Sequence, residues 1–298
     1  MALALPVIMH PGARPPARWL VSAVLLLALS QNAVAQSEHK SAAIAHAKAL
    51  QAAATDMERE SINASMKLAL RKVLDADDGL SVNLDDLPLS RVEAPDGSFR
   101  LITWNLPKAD GSYAYEGLLL ARSSKLTSLY ELRDMTAGIN NPELAELGPE
   151  KWYGALYYQV MPIKKGGKTM YTLLGWKGHS AVETRKVIEV LSFRGGKPRF
   201  GAPLFGKGKL KEHRRVFGFA AQASMMLHAD PERGRIVLDH LSPLHADMAG
   251  KGALMGPDMS FDAFVWDKGQ WRYERDIDLR DPSRDSKPFK APPAPPRP

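Results

Sequence analysis

The chain has 298 residues, no cysteine, 45% hydrophobic residues and a formal net charge of +7. That length and apolar content can build a sizeable core without disulfides, which excludes a disulfide-stapled mini-protein and a wholly disordered chain. The excess of Lys and Arg bears on partners rather than on fold, and it favours anionic surfaces.

Residues 1–35 read as a signal peptide. Arg14 and Arg18 form the basic flank, residues 19–29 a short apolar run, and Ala33-Val34-Ala35 a small-residue cleavage site before Gln36. The run is too short for a comfortable membrane span. Losing Arg14 and Arg18 with the leader takes the charge from +7 to +5. A periplasmic or secreted product is expected, with no transmembrane segment after cleavage.

Residues 36–80 form the helical N-terminal segment. Residues 36–55 are alanine-rich, and alanine is the best helix former. Over 56–74, Ile62, Met66, Leu70 and Val73 recur at helical spacing and predict an amphipathic helix, ended at Asp77-Asp78-Gly79. Such a stripe could bind a partner, but packing on a sheet is the ordinary use of one.

Residues 81–280 read as an antiparallel β domain. Asp96-Gly97 and Asp110-Gly111 mark turns between runs at 99–106, 113–121 and 129–133. A connector follows, with one short helix expected at 142–147. The stretch 152–241 organises the domain as three hairpins. The first joins 155–163 to 169–176 through Gly166-Gly167. The second joins 186–193 to 198–200 through Gly195-Gly196. The third is expected to join 215–227 to 235–241 through residues 230–234. These strands are apolar on both sides: Met170 and Leu174 point one way, Tyr171 and Leu173 the other. Ile236 and Leu238 likewise oppose Val237 and Leu241. Both sheet faces should therefore be covered. A last hairpin is expected from 260–266 and 271–278. Residues 281–298 are a Pro-rich tail, expected to be disordered.

Several phrases carry a resemblance: Tyr157-Tyr158, Tyr171-Thr-Leu-Leu-Gly-Trp176, Val190-Leu-Ser-Phe193, Ala221-Gln-Ala-Ser224 and Asp239-His-Leu-Ser-Pro243. Across 99–278 the chain resembles a family of uncharacterised exported bacterial β-rich proteins with no assigned activity. The resemblance implies export and a β-rich fold, and it supplies no site residues.

Two groups of residues could carry chemistry. Asp239, His240, His245 and Asp247, with Asp258 and Asp262 beyond, mix imidazoles and carboxylates where a strand runs into a loop. Such a set could hold a divalent metal with an open position. The ordinary reading makes them turn carboxylates and a hydrogen-bonded histidine. The second group is basic. Between 150 and 215 there are fifteen Lys and Arg against four Glu. Lys164, Lys165, Lys168, Arg194, Lys197, Arg199, Lys207, Lys209, Lys211, Arg214 and Arg215 cluster at turns and connectors. If the turns gather at one end, they make a positive rim for a polyanion; scattered, they are solvated guards of strand edges.

Nucleotide binding is not expected. Residues 201–208 lack the Ser or Thr of a phosphate loop and the helix after it. Ser224 and Ser242 sit in no nucleophile elbow. The fold class that follows is mainly β (α+β): an antiparallel meander forming a sandwich or barrel-like sheet, with an N-terminal amphipathic helix packed on it. A β-propeller ranks below, for want of a fixed period. The function expected is an exported envelope or secreted binding or structural module without catalytic activity or cofactor. Its partner is an anionic surface polymer, a protein, or an apolar ligand inside a barrel. The alternative is a metal-dependent hydrolase at Asp239, His240, His245 and Asp247, in which one carboxylate acts as base on a metal-bound water.

Overall fold

The computed structural model describes residues 17–123, 126–206 and 210–280, with side chains from Val34 onward. Most of the expected signal peptide's first half (1–16), Lys207, Lys209 and the Pro-rich tail lie outside the described residues. The chain divides into two compact units: α1 (Ala17–Ala52) with Ser61–Pro88, and Ala53–Glu60 with everything described from Leu89 on.

In the helical unit, α1 runs unbroken across the expected cleavage position. Helix α2 (Asp56–Leu74) has the bounds its sequence predicts. Thr55 Oγ1 accepts the Glu58 N–H at 3.2 Å, while Glu58 Oε2 accepts the Ala54 N–H at 2.9 Å. This exchange satisfies donors that a helix start otherwise leaves open. Asp56 and Glu58 in the first turn and Arg71 and Lys72 in the last turn complement the helix dipole. Met66, Leu70 and Val73 of the predicted stripe are buried, as are Ala43, Ala47 and Leu50 on α1. No helix among the described residues is long and apolar enough to cross a membrane.

The second unit holds three antiparallel sheets, so the fold is mainly β and sandwich-like; none of the sheets closes into a barrel. The first sheet is β1 (Ser90–Glu93), β2 (Phe99–Pro107), β3 (Tyr113–Ser123) and β4 (Leu126–Arg133), in sequence order. The second is β5 (Leu156–Lys165), β6 (Lys168–Gly178), β7 (Glu183–Arg194) and β8 (Lys197–Phe200), with β9 (Arg215–Ala220) also paired to β7. The third is β10 (Leu227–Asp230), β11 (Arg235–Pro243), β12 (Met255–Asp267) and β13 (Gln270–Glu274). The connector helix expected at 142–147 is a single 3-10 turn, Pro142–Leu144.

The two-sided apolar pattern of the second sheet has a direct cause: it is the middle layer. Tyr171, Leu173, Val187 and Leu191 pack with Phe99, Leu101 and Leu119 of the first sheet. Their neighbours Leu174, Ile188 and Val190 point the other way and pack with Ile236, Leu238, Phe264 and Trp271 of the third. Each fully buried side chain of this kind contributes roughly 1.5–3 kcal/mol. Two apolar faces on one set of strands therefore hold three sheets together.

Two expectations are corrected. The third hairpin does not form as one unit. Strand β8 pairs only with Leu191–Arg194 of β7, which leaves the first half of β7 open, and β9 takes that edge from Glu183 to Ile188. Residues 221–226 then cross to the third sheet, where β10 pairs with β11. Leu241 also changes sides. The β11–β12 register shifts between Asp239 and Leu241. Between those pairs β11 has one residue, His240, and β12 has three, 258–260, so the ladder is interrupted there, and Leu241 packs in the same cluster as Ile236 and Leu238.

The tight turns have the predicted glycines. Gly166-Gly167 (φ 55° and 74°) and Gly195-Gly196 (φ 57° and 77°) both take the left-handed conformation of a two-residue hairpin. Strand registers place these two turns at the same end of the second sheet, because Tyr171 near the start of β6 faces Leu191 near the end of β7. The β12–β13 turn joins them: the Lys165 stem lies 3.5 Å from where a side chain on Gly269 would begin.

Candidate functional site

The expected basic rim is only partly assembled. Lys164, Lys168, Arg194 and Lys197 are exposed at the two glycine turns, Lys165 is half-buried beside them, and Lys268 is exposed at the third turn. Burial and the nearby Lys211 ammonium lower the Lys165 pKa. Lys211 Nζ donates to Gln270 Oε1 at 3.2 Å, which brings it to the same end. Arg194 is paired to Glu146 at 2.9 Å, and Arg199 lies 4.0 Å from the same carboxylate. Arg214 and Arg215 do not belong to the rim. Arg214 is fully buried, with its Nε 2.7 Å from the equally buried Glu189 carboxylate and its Nη2 donating to Phe200 O at 3.1 Å. A guanidinium that must neutralise a carboxylate inside the core is unavailable to a ligand. Arg215 is held between Glu143 (3.6 Å) and Glu212.

The expected metal quartet does not close around one point. Asp239 accepts the Met226 N–H at 2.7 Å, tying β11 to the start of β10. His245 and Asp247 are exposed beside and within a one-turn 3-10 helix, Ala246–Met248. Among the described residues, no three His, Asp or Glu side chains gather as a metal-binding group.

His240 has a different partner. It sits where the β11–β12 register slips, and Nδ1 lies 2.7 Å from Asp262 Oδ2. Asp262 on β12 is buried (1% exposed). It accepts two further bonds, from the Tyr273 hydroxyl and from the Asp276 N–H at 3.2 Å. His240 Nδ1 is paired with the Asp262 carboxylate, which leaves Nε2 for a second partner. Arg275 Nη2 is 3.3 Å from that Nε2, and Asp258 Oδ2 is 4.0 Å away. Hydrogen bonds from Ser242 (2.5 Å) and Ser260 (2.7 Å) lower the Asp258 pKa to about 2 and keep it ionised. Burial, and then Asp262, push the Tyr273 hydroxyl up, so it remains a donor. Among the described residues, two of the three non-glycine residues with positive φ flank this site: Met259 (71°) and Asp276 (53°). Such backbone recurs where a side chain or N–H must be aimed.

His240 and Asp262 line a cleft of about 1140 Å³. Its wall carries Glu143, Glu183, Glu212 and Asp239 against Arg185 and Arg215, so its balance is acidic, opposite to the lysine end. Glu183 Oε1 accepts from Arg185 Nε at 2.7 Å, and Arg185 Nη1 reaches the Tyr153 hydroxyl at 3.1 Å. Behind Tyr153 lies a buried cation. Lys177 Nζ donates to Gly154 O (2.6 Å) and Thr136 Oγ1 (3.0 Å) and stands 4.2 and 4.8 Å from the Tyr115 and Tyr153 ring centroids. Burial pulls its pKa down to about 8, against the upward pull of Asp134. Rings and carbonyls stabilise an ammonium less well than water does.

Comparisons with protein-family models, with curated proteins and with solved structures return no match. The residues that sequence reasoning missed are Tyr273 and Arg275, together with Glu183 and Arg185. Tyr273 and Arg275 stand at the C-terminal end of the last hairpin, and only the register of β12 with β13 brings them to Asp262 and His240.

Proposed function

We propose that the chain is an exported binding module that holds an anionic surface polymer on its lysine-bearing hairpin end. The observation carrying this reading is Lys164, Lys165, Lys168, Lys197 and Lys268 on three neighbouring turns, without a carboxylate in ion-pair distance among the described residues. Unpaired ammonium groups grouped at one end of a rigid scaffold attract a chain of phosphates and release its counterions on contact. The leader-like residues 1–35 favour an envelope or external location, where such polymers are met.

The test is binding of the protein to polyphosphate and to lipopolysaccharide over a salt series, with neutral dextran as control. Lys164→Glu/Lys168→Glu/Lys197→Glu should weaken binding at least tenfold. It should also lower the slope of log affinity against log salt by roughly two to three. Wild-type binding that is insensitive to these changes sinks the reading. Mass spectrometry of the exported product should find Gln36 at its N-terminus.

A further inference from the structure

Beyond polymer binding, the geometry points to a second, catalytic site in the acidic cleft: an Asp262–His240 dyad that hydrolyses a neutral carboxylic ester. Four observations converge. The β11–β12 register shifts opposite His240, and such ladder irregularities re-aim side chains beside active sites. Asp262 is buried and accepts three hydrogen bonds, so it fixes both the ring and the tautomer of His240. Nε2 is hydrogen-bonded to the exposed Arg275 guanidinium at 3.3 Å, so the base and a cation stand side by side. A cleft of about 1140 Å³ gives a substrate access to the pair.

The chemistry follows from the atoms. Arg275 shifts from Nε2 to the ester carbonyl oxygen, and His240 Nε2 takes a proton from water as the water oxygen bonds to the carbonyl carbon. The carbonyl π electrons move onto oxygen, and Arg275 stabilises the negative charge that develops there. Collapse of the tetrahedral species breaks the carbon–alkoxide bond, and Nε2 returns its proton to the leaving alkoxide. Acid and alcohol are the products, and the imidazole ends as it began. Water is the nucleophile because the Ser242 hydroxyl is committed to Asp258 at 2.5 Å. The substrate is neutral because the carboxylates of the cleft outnumber its arginines and repel a phosphate ester. Asp262 is a positioning residue that acts through His240.

The experiment is hydrolysis of 4-nitrophenyl acetate by the purified full-length protein. Saturable turnover is expected. His240→Gln should lower kcat about a hundredfold or more. Asp262→Asn should lower kcat with KM little changed, and Asp262→Glu should restore part of it. Arg275→Gln, an exposed substitution that leaves the fold alone, should cost about tenfold or more. His245→Gln, an exposed imidazole on the neighbouring loop, should change nothing. Three results overturn the inference: no saturable turnover by the wild type, His240→Gln or Arg275→Gln as active as the wild type, or equal loss in His245→Gln.

Discussion

Lys177 offers a quantitative test of the core beneath the cleft. The residue is 2% exposed, and burial pulls its pKa down to about 8 from an ordinary 10.5. The unfolded chain therefore holds this proton at pH values where the folded protein has released it. Stability rises with pH wherever the unfolded state binds more protons. Folding should accordingly become more favourable as pH rises from about 7 towards the ordinary lysine value, with the steepest gain above about pH 8. Integrated between about pH 7 and about pH 9.5, the gain from this one group is about 2 kcal/mol. The burial of its tyrosine neighbours has the opposite sign at higher pH. Burial raises Tyr115 and Tyr153, and tyrosines that must stay neutral in the fold lose stability as the unfolded phenols ionise. The comparison that isolates Lys177 is thus wild type against Lys177→Met, in which the tyrosines cancel. Urea unfolding of both proteins at steps across that range should show a stability difference that grows by about 2 kcal/mol in favour of the wild type. Two parallel pH curves would refute the reasoning, because they would mean that Lys177 titrates alike in the folded and unfolded chains.

The remaining predictions concern the sheets and the buried pair. Arg214→Ala strands the Glu189 carboxylate in the core and should cost about 3–5 kcal/mol in urea unfolding. Because a stranded carboxylate has its pKa raised, that loss should shrink as pH falls towards the ordinary carboxylate range. Arg214→Met with Glu189→Leu should recover most of the stability, and a double variant as weak as Arg214→Ala would show that the partners do not act through each other. Leu174→Ala empties a position between the second and third sheets and should cost about 2–5 kcal/mol by thermal or denaturant melting, whereas Leu126→Ala, at an exposed strand start, should change little.

The legible parts of the sequence were those fixed by local chemistry. Asp56–Leu74 is a helix because its apolar spacing and its first-turn acids say so. The glycine pairs at 166–167 and 195–196 fix two hairpins because few other residues adopt their conformation. The alternation at Tyr171, Leu173 and Leu174 is visible because each strand of a middle sheet needs two apolar faces. The rest depended on partners distant in sequence. Nothing local assigns 215–220 to β7 rather than β11, since an apolar strand fits either edge. Arg214 reads as one basic residue among many until Glu189, 25 residues earlier, is found against it. At the site, Asp239-His240-Leu241 was legible as an unusual cluster. The register shift beside which Asp239 meets Met226 and His240 meets Asp262 was not, because it is a property of two strands and not of one.

Strand β7 also acts as a ruler. It runs unbroken from Glu183 to Arg194. Arg185, in the cleft wall, and Arg194, at the lysine end, are nine residues apart on it, a span of about 30 Å at the rise of an extended strand. A single phosphate or a short anion cannot bridge that gap, whereas a polymer can. The acidic balance of the cleft repels the same polymer that the lysines attract, so the two ends hold different molecules. Sign of charge, together with that distance, keeps the two sites independent.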